Sequence, residues 1–190
     1  MYEDFLSAFP SDGGTAEPFN DPRLAQLDGF NELVALGAGL SFGKGIVRIH
    51  SEREALRASG LIGESFPEYG DRVVPIAKDW LGRQFAVPLV DGVAQPGLLL
   101  LIEPGSGEVF EIDCPVVDLF NAEMVADPET FLASDLFEEW REENPVMLSS
   151  DQCVGFKVPL FLGGEGAVDN LEVSDESVYW SLFGQMRQQS

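Results

Sequence analysis

The chain has 190 residues, 45% of them hydrophobic and 11% aromatic. That is enough apolar material to build a core covering about 70% of the unfolded surface, without metal or disulfide staples, and it excludes a disordered chain. Eleven Lys and Arg against 33 Asp and Glu give a formal net charge of −22, which excludes direct nucleic-acid binding through clusters of basic residues. The same field would speed the approach of a basic partner, although acidity also serves simply to keep a protein soluble.

The opening MYEDFLSAFPSDGG reads as a short helix running into a loop, and residues 10–22 are rich in Pro, Gly and Asp. Acidic residues stand where a signal peptide carries positive charge, and no apolar run approaches the roughly 18 residues of a membrane span. A cytoplasmic protein with no membrane contact is expected. Leu24, Leu27, Phe30, Leu33, Val34 and Leu36 then recur at helical spacing until Gly37 and Gly39, predicting one helix lying on a sheet. Gly45 to Ile49 is β-rich, and Ser51 with Glu54 fits a capping box opening a helix through about Ser59.

Four more strands are predicted at Val73–Ala77, Gln84–Leu89, Leu98–Glu103 and Val109–Asp113, the last two joined by the turn Pro104 to Gly107. Strands so close together point to an antiparallel meander rather than to βαβ units. Val116–Val125, Asp127–Ala133 and Ser134–Glu143 read as three short helices, with Asp127 as N-cap before Pro128 at the first helical position. Val154–Leu162 is extended, and Pro159 makes it an edge or irregular strand. The last helix is capped by Ser174 or Asp175, with Glu176 in its first turn and an apolar stripe of Tyr179, Leu182, Phe183 and Met186. The fold class is therefore α+β, an antiparallel or mixed central sheet flanked by helices and finished by a C-terminal amphipathic helix. No internal repeat occurs.

Chemistry-bearing residues are sparse. Cys114 and Cys153 have no CxxC spacing and read as buried free thiols. His50 is the only histidine, which removes paired-histidine metal sites and favours a hydrogen-bonded structural role over general-base catalysis. No GxSxG elbow surrounds a serine, so no catalytic residue is assigned. Asp169 to Glu176, DNLEVSDE, lacks the order of a calcium loop and reads as a solvated turn leading to a helix cap. LGGEG at Leu162 to Gly166 places Glu165 where a phosphate cradle would carry no negative side chain, so its glycines read as a tight turn. Trp80 with Arg83 reads as a local organiser of the sheet. Neither metal nor cofactor is expected.

Two acidic clusters remain as partner-binding candidates. Asp135, Glu138, Glu139 and Glu142, with Glu143 beside them, are spaced along one predicted helix while Phe137 and Trp140 point elsewhere. Glu165, Asp169, Glu172 and Asp175, with Glu176, gather before the last helix. Either could be only a solvated surface. A carboxylate pair of the hydrolase kind is open on residue type alone, since its spacing is a property of the fold.

Three segments carry a resemblance: GKGIVRIH at 43–50, KDWLGRQFAV at 78–87, and DQCVGFKVPLFLGGEGAVDNLEVSDESVYWSLFGQ at 151–185. Together they resemble bacterial immunity proteins of the type VI secretion DNase-immunity kind. The resemblance implies a GAD-like α+β region over 1–113, a mainly helical immunity-type region over 114–190, and a cytoplasmic, non-enzymatic protein that neutralises a cognate toxin by binding it. That toxin is a basic nuclease in this reading. A hydrolase using carboxylates, or a regulatory interaction module without a toxin, are the alternatives; the oligomeric state is left open.

Overall fold

The computed structural model describes residues 1–189. In chain order it contains α1 (Glu3–Ala8), α2 (Phe30–Gly37), β1 (Ser41–Phe42), β2 (Val47–Ile49), α3 (Glu52–Ser65), β3 (Val73–Asp79), β4 (Gln84–Val90), β5 (Val93–Ala94), β6 (Leu99–Glu103) and β7 (Glu108–Ile112). There follow α4 (Val116–Asp118), a π-helical turn Leu119–Glu123, α5 (Met124–Ala126), α6 (Pro128–Leu132), α7 (Ser134–Glu143), β8 (Gln152–Phe156), β9 (Leu171–Asp175) and α8 (Glu176–Gln189). The expected α+β class is borne out. A seven-stranded sheet runs in the order β1-β2-β3-β4-β6-β7, with β5 paired to β4, and β8 pairs with β9 in a separate two-stranded sheet.

Every pairing in the large sheet is antiparallel, as the closely spaced strands predicted. All seven positions of β3 are buried, so both faces of its centre are covered, which is why this stretch reads as a continuous apolar run. Pro75 cannot donate to the ladder, and the register of β3 against β4 shifts between Pro75 and Ala77. The unpredicted β5 forms across Asp91 and Gly92, both at positive φ (52° and 78°), the geometry that lets an Asp-Gly pair close a tight hairpin.

Three expectations are corrected. The helix read from Leu24 begins at Phe30: Gly29 holds φ 78° at its N-cap, and the preceding residues close turns with Leu24 N–H on the Asp21 carbonyl and Leu27 N–H on the Leu24 carbonyl. Leu24 and Leu27 are buried all the same, so the periodicity reported burial rather than helix. The capping box at Ser51 and Glu54 forms in both directions, but its helix continues to Ser65 because buried Leu61 and Ile62 carry it past Gly60 and Gly63. Asp169 to Glu176, read as a solvated turn leading to a helix cap, keeps its turn, exposure and cap but holds strand β9 between turn and cap, with Cys153 opposite Ser174 and Phe156 opposite Leu171. Only Leu171 of β9 is buried, so the segment offered little periodic signal.

Smaller differences are local. The extended segment after Val154 ends at Phe156, and Pro159 instead precedes a 3₁₀ turn at Leu160–Leu162. Asp127 caps α6 as expected, accepting from the Thr130 N–H at 3.1 Å with Pro128 at the first helical position. On α8 the buried stripe is Tyr179, Trp180, Phe183 and Gly184, whereas Leu182 is 46% exposed. Gly184 allows this: a Cβ there would meet Ser65 Oγ at 2.5 Å, so α8 and α3 approach where only a glycine fits.

Candidate functional site

The turn between β3 and β4, Asp79 to Arg83, anchors three other parts of the chain. Arg83 donates its backbone N–H to Asp79 Oδ1 (2.9 Å) and its Nε–H to Asp79 Oδ2 (2.6 Å), while Gly82 takes φ 75°. Trp80 donates its indole N–H to the Leu132 carbonyl at 2.8 Å, and Arg83 reaches the Phe131 carbonyl at 3.1 Å. Val154 N–H bonds the Trp80 carbonyl, and Trp180 donates its indole N–H to the Gly82 carbonyl. One turn thus ties α6, β8 and α8 to the sheet, and the organising role expected of Trp80 and Arg83 is met. Burial raises the Asp79 carboxyl to about 6 even though Arg83 pulls it down.

Cross-strand partners share a face, so the register places Arg48, Lys78 and Gln84 in one row across β2, β3 and β4. Glu54 of α3 and Glu176 of α8 come down onto that row. Arg48 pairs with Glu54 at 2.7 Å; Lys78 and Arg57 each lie 3.0 Å from Glu176; Gln84 donates to Glu176 Oε1 at 3.0 Å. Because the Gln84 amide nitrogen donates there, its oxygen faces His50 Nε2 at 2.7 Å and accepts from that ring nitrogen. His50 Nδ1 has no hydrogen bond and lies 3.8 Å from Glu54 Oε2. Burial pushes the Glu54 carboxyl upward, yet His50 and Arg48 outweigh it and hold the group at about 2. His50, Glu54, Lys78, Gln84 and Glu176 are all buried, so this row fastens helices to the sheet out of reach of a substrate. The structural role expected of His50 agrees with this placement.

Of the predicted contact residues, the structure exposes Asp135, Glu138, Glu139, Glu142, Glu165, Asp169, Glu172 and Asp175. Phe137 and Trp140 are buried against the Trp80 ring, at 5.2 and 5.7 Å between centroids, which turns the acidic side of α7 outward. The 3₁₀ turn Val168–Asn170 lies against α7, which brings exposed Asp169 near that helix. Asp175 stands at the opposite end of β9, where it accepts from Val178 N–H at 3.0 Å and caps α8. Glu176 does not belong to this surface, being buried between Lys78 and Arg57. Sequence reasoning missed this because a glutamate in a first helical turn usually faces solvent; its two cations lie some hundred residues earlier.

Cys114 and Cys153 are buried free thiols, as expected. Gly163 takes φ 90° and a Cβ on Gly164 would meet the Val158 carbonyl oxygen at 2.0 Å, the tight turn read from LGGEG. Among the described residues, no helix is long and apolar enough to cross a membrane.

An α+β unit whose helical second half is fastened to the sheet by a DWLGR turn is the class these observations define. Residues 117–187 match the family model described as T6SS immunity protein Tdi1, C-terminal, and the resemblance read from the sequence is borne out over that region. The crystal structure of Atu4351 from Agrobacterium tumefaciens superposes with a TM-score of 0.62 at 16% identity, covering 97% of this chain and 89% of that chain; the two share a fold. A comparison with curated proteins gives no match.

Proposed function

We propose that the chain is an immunity protein that binds a cognate secreted toxin, a basic nuclease, and occludes its active site in the cytoplasm of the producing cell. The match of residues 117–187 to the Tdi1 C-terminal model carries this reading. The net charge of −22 supports a basic partner, since a strongly acidic protein is steered toward a positive cleft. In this reading residues 1–113 supply the GAD-like sheet and residues 114–190 the immunity-type region. Asp135, Glu138, Glu139 and Glu142 on α7, with Glu165, Asp169, Glu172 and Asp175, meet the toxin.

Binding rather than catalysis is favoured because Glu54, the carboxylate beside the only histidine, is buried and already paired with Arg48. The test is to mix the purified protein with the toxin encoded next to its gene and to co-express the two in cells. Complex formation with rescue of growth is expected; absence of both would refute the reading.

A further inference from the structure

We propose that the free edge of β7, with the cleft beside it, receives an extended cationic segment of the toxin, which adds itself as a further strand of the sheet. This deepens the immunity reading above and rests on it. The two edges of the large sheet are treated differently. At the β1 edge, Ser11 bridges to Phe42 and Asp12 N–H bonds the Ser41 carbonyl, so that edge is occupied. Among the described residues β7 pairs only with β6, leaving a row of backbone donors and acceptors on its outer side. Such an edge is a template for pairing with another chain.

Beside that edge lies a cleft of about 660 Å3. Its floor is apolar, formed by Leu101, Phe110 and Ile112, with Phe131 of α6 on the facing wall. Phe110 is 43% exposed, an aromatic left available on a strand that also carries Glu108 and Glu111. The rim is acidic: Glu103, Glu111, Asp113 and Glu123 all line the cleft. Its one cation, Arg83, is already engaged by Asp79 and the Phe131 carbonyl. The negative field is felt at the end of the cleft, where Cys114 is raised to about 11 by burial and then by Glu123, Asp118 and Asp113.

These features select the occupant. A second copy of this chain would bring the glutamates of β7 against their own counterparts, and like charges directly opposite each other destabilise a strand pair. A strand bearing Lys or Arg meets opposite charge instead, and its aliphatic stems can cover Phe110 while the charged heads reach the rim.

The probe is a ten-residue synthetic peptide alternating Lys and Val, titrated into the full-length isotope-labelled protein and followed by amide NMR shifts. Shifts concentrated on Glu108–Ile112 and the cleft wall are expected. Binding should weaken at least about tenfold in the double variant Glu111→Lys, Glu123→Lys, whose altered residues are exposed and leave the core untouched. It should also be lost for the same peptide N-methylated at every residue, which keeps the charge and removes the donors of both strand edges.

Equal binding by the methylated peptide, binding away from β7, or dimerisation of the unliganded protein through β7 would each overturn the proposal. With the cognate toxin, undiminished binding by the double variant would sink this site while leaving the immunity reading intact. Failure of the wild-type protein to bind the toxin would sink both.

Discussion

Glu176 shows how one side chain joins distant parts of the chain. Its carboxylate is buried between Lys78, Arg57 and Gln84, and removing one member of such a group strands the rest without solvent. Glu176→Ala should cost about 3–5 kcal/mol of stability, measured by denaturant unfolding, and adding Lys78→Met should recover much of the loss. Two glycines make a second contrast. Gly184→Ala should destabilise by about 1–3 kcal/mol, because a Cβ would enter Ser65. Gly60→Ala, in α3 with nothing within 4 Å, should stabilise by about 0.5–1 kcal/mol because alanine loses less backbone freedom.

Two buried carboxylates set opposing pH trends. Asp79 stands at about 6 against an ordinary 3.8, so between those values the folded protein binds more protons, and stability rises as pH falls. Glu54 stands at about 2 against an ordinary 4.5, so its contribution is present above 4.5 and is lost as pH falls toward 2. Thermal unfolding followed over pH should therefore show a maximum in acidic solution where the two windows overlap, between 3.8 and 4.5. A maximum at or above neutrality would show that the environments of Asp79 and Glu54 are misassigned.

At the scale of the elements, α7 carries the contact prediction. Phe137 and Trp140 fix it to Trp80, leaving Glu138 and Glu142 on the outer side. The double variant Glu138→Lys, Glu142→Lys should leave the unfolding midpoint within about 0.5 kcal/mol of wild type and slow toxin association several-fold. An unchanged association rate in stopped-flow would remove α7 from the interface.

What was legible in the sequence follows from which signals are local. The capping box at Ser51 and Glu54, the Asp127-Pro128 start of α6 and the meander around Pro104 to Gly107 depend on neighbours within a few residues, and all appear in the structure. β9 escaped because its pairing partner β8 is supplied by tertiary contact and only Leu171 is buried. The false start of α2 at Leu24 has the opposite cause: turns can bury leucines at helical spacing without forming a helix. For the candidate surface, the acidic side of α7 was visible as a spacing. The closeness of Asp169 to that helix, the burial of Glu176 and the open edge of β7 arise from the arrangement of elements and leave no trace in residue order.

For the molecule as a whole, the parts cooperate through the Asp79 to Arg83 turn and the polar row from Arg48 to Glu176, so the helical second half is held rigidly against the sheet. A rigid, acidic body suits recognition, because little ordering entropy is lost on binding and long-range attraction accelerates encounter. The immunity account stands most directly on the dissociation constant of the complex with the toxin encoded beside this gene, measured over a range of salt. The account predicts a stable complex at low ionic strength that weakens at least about tenfold as salt approaches roughly 0.5 M. No detectable complex at low salt would contradict it.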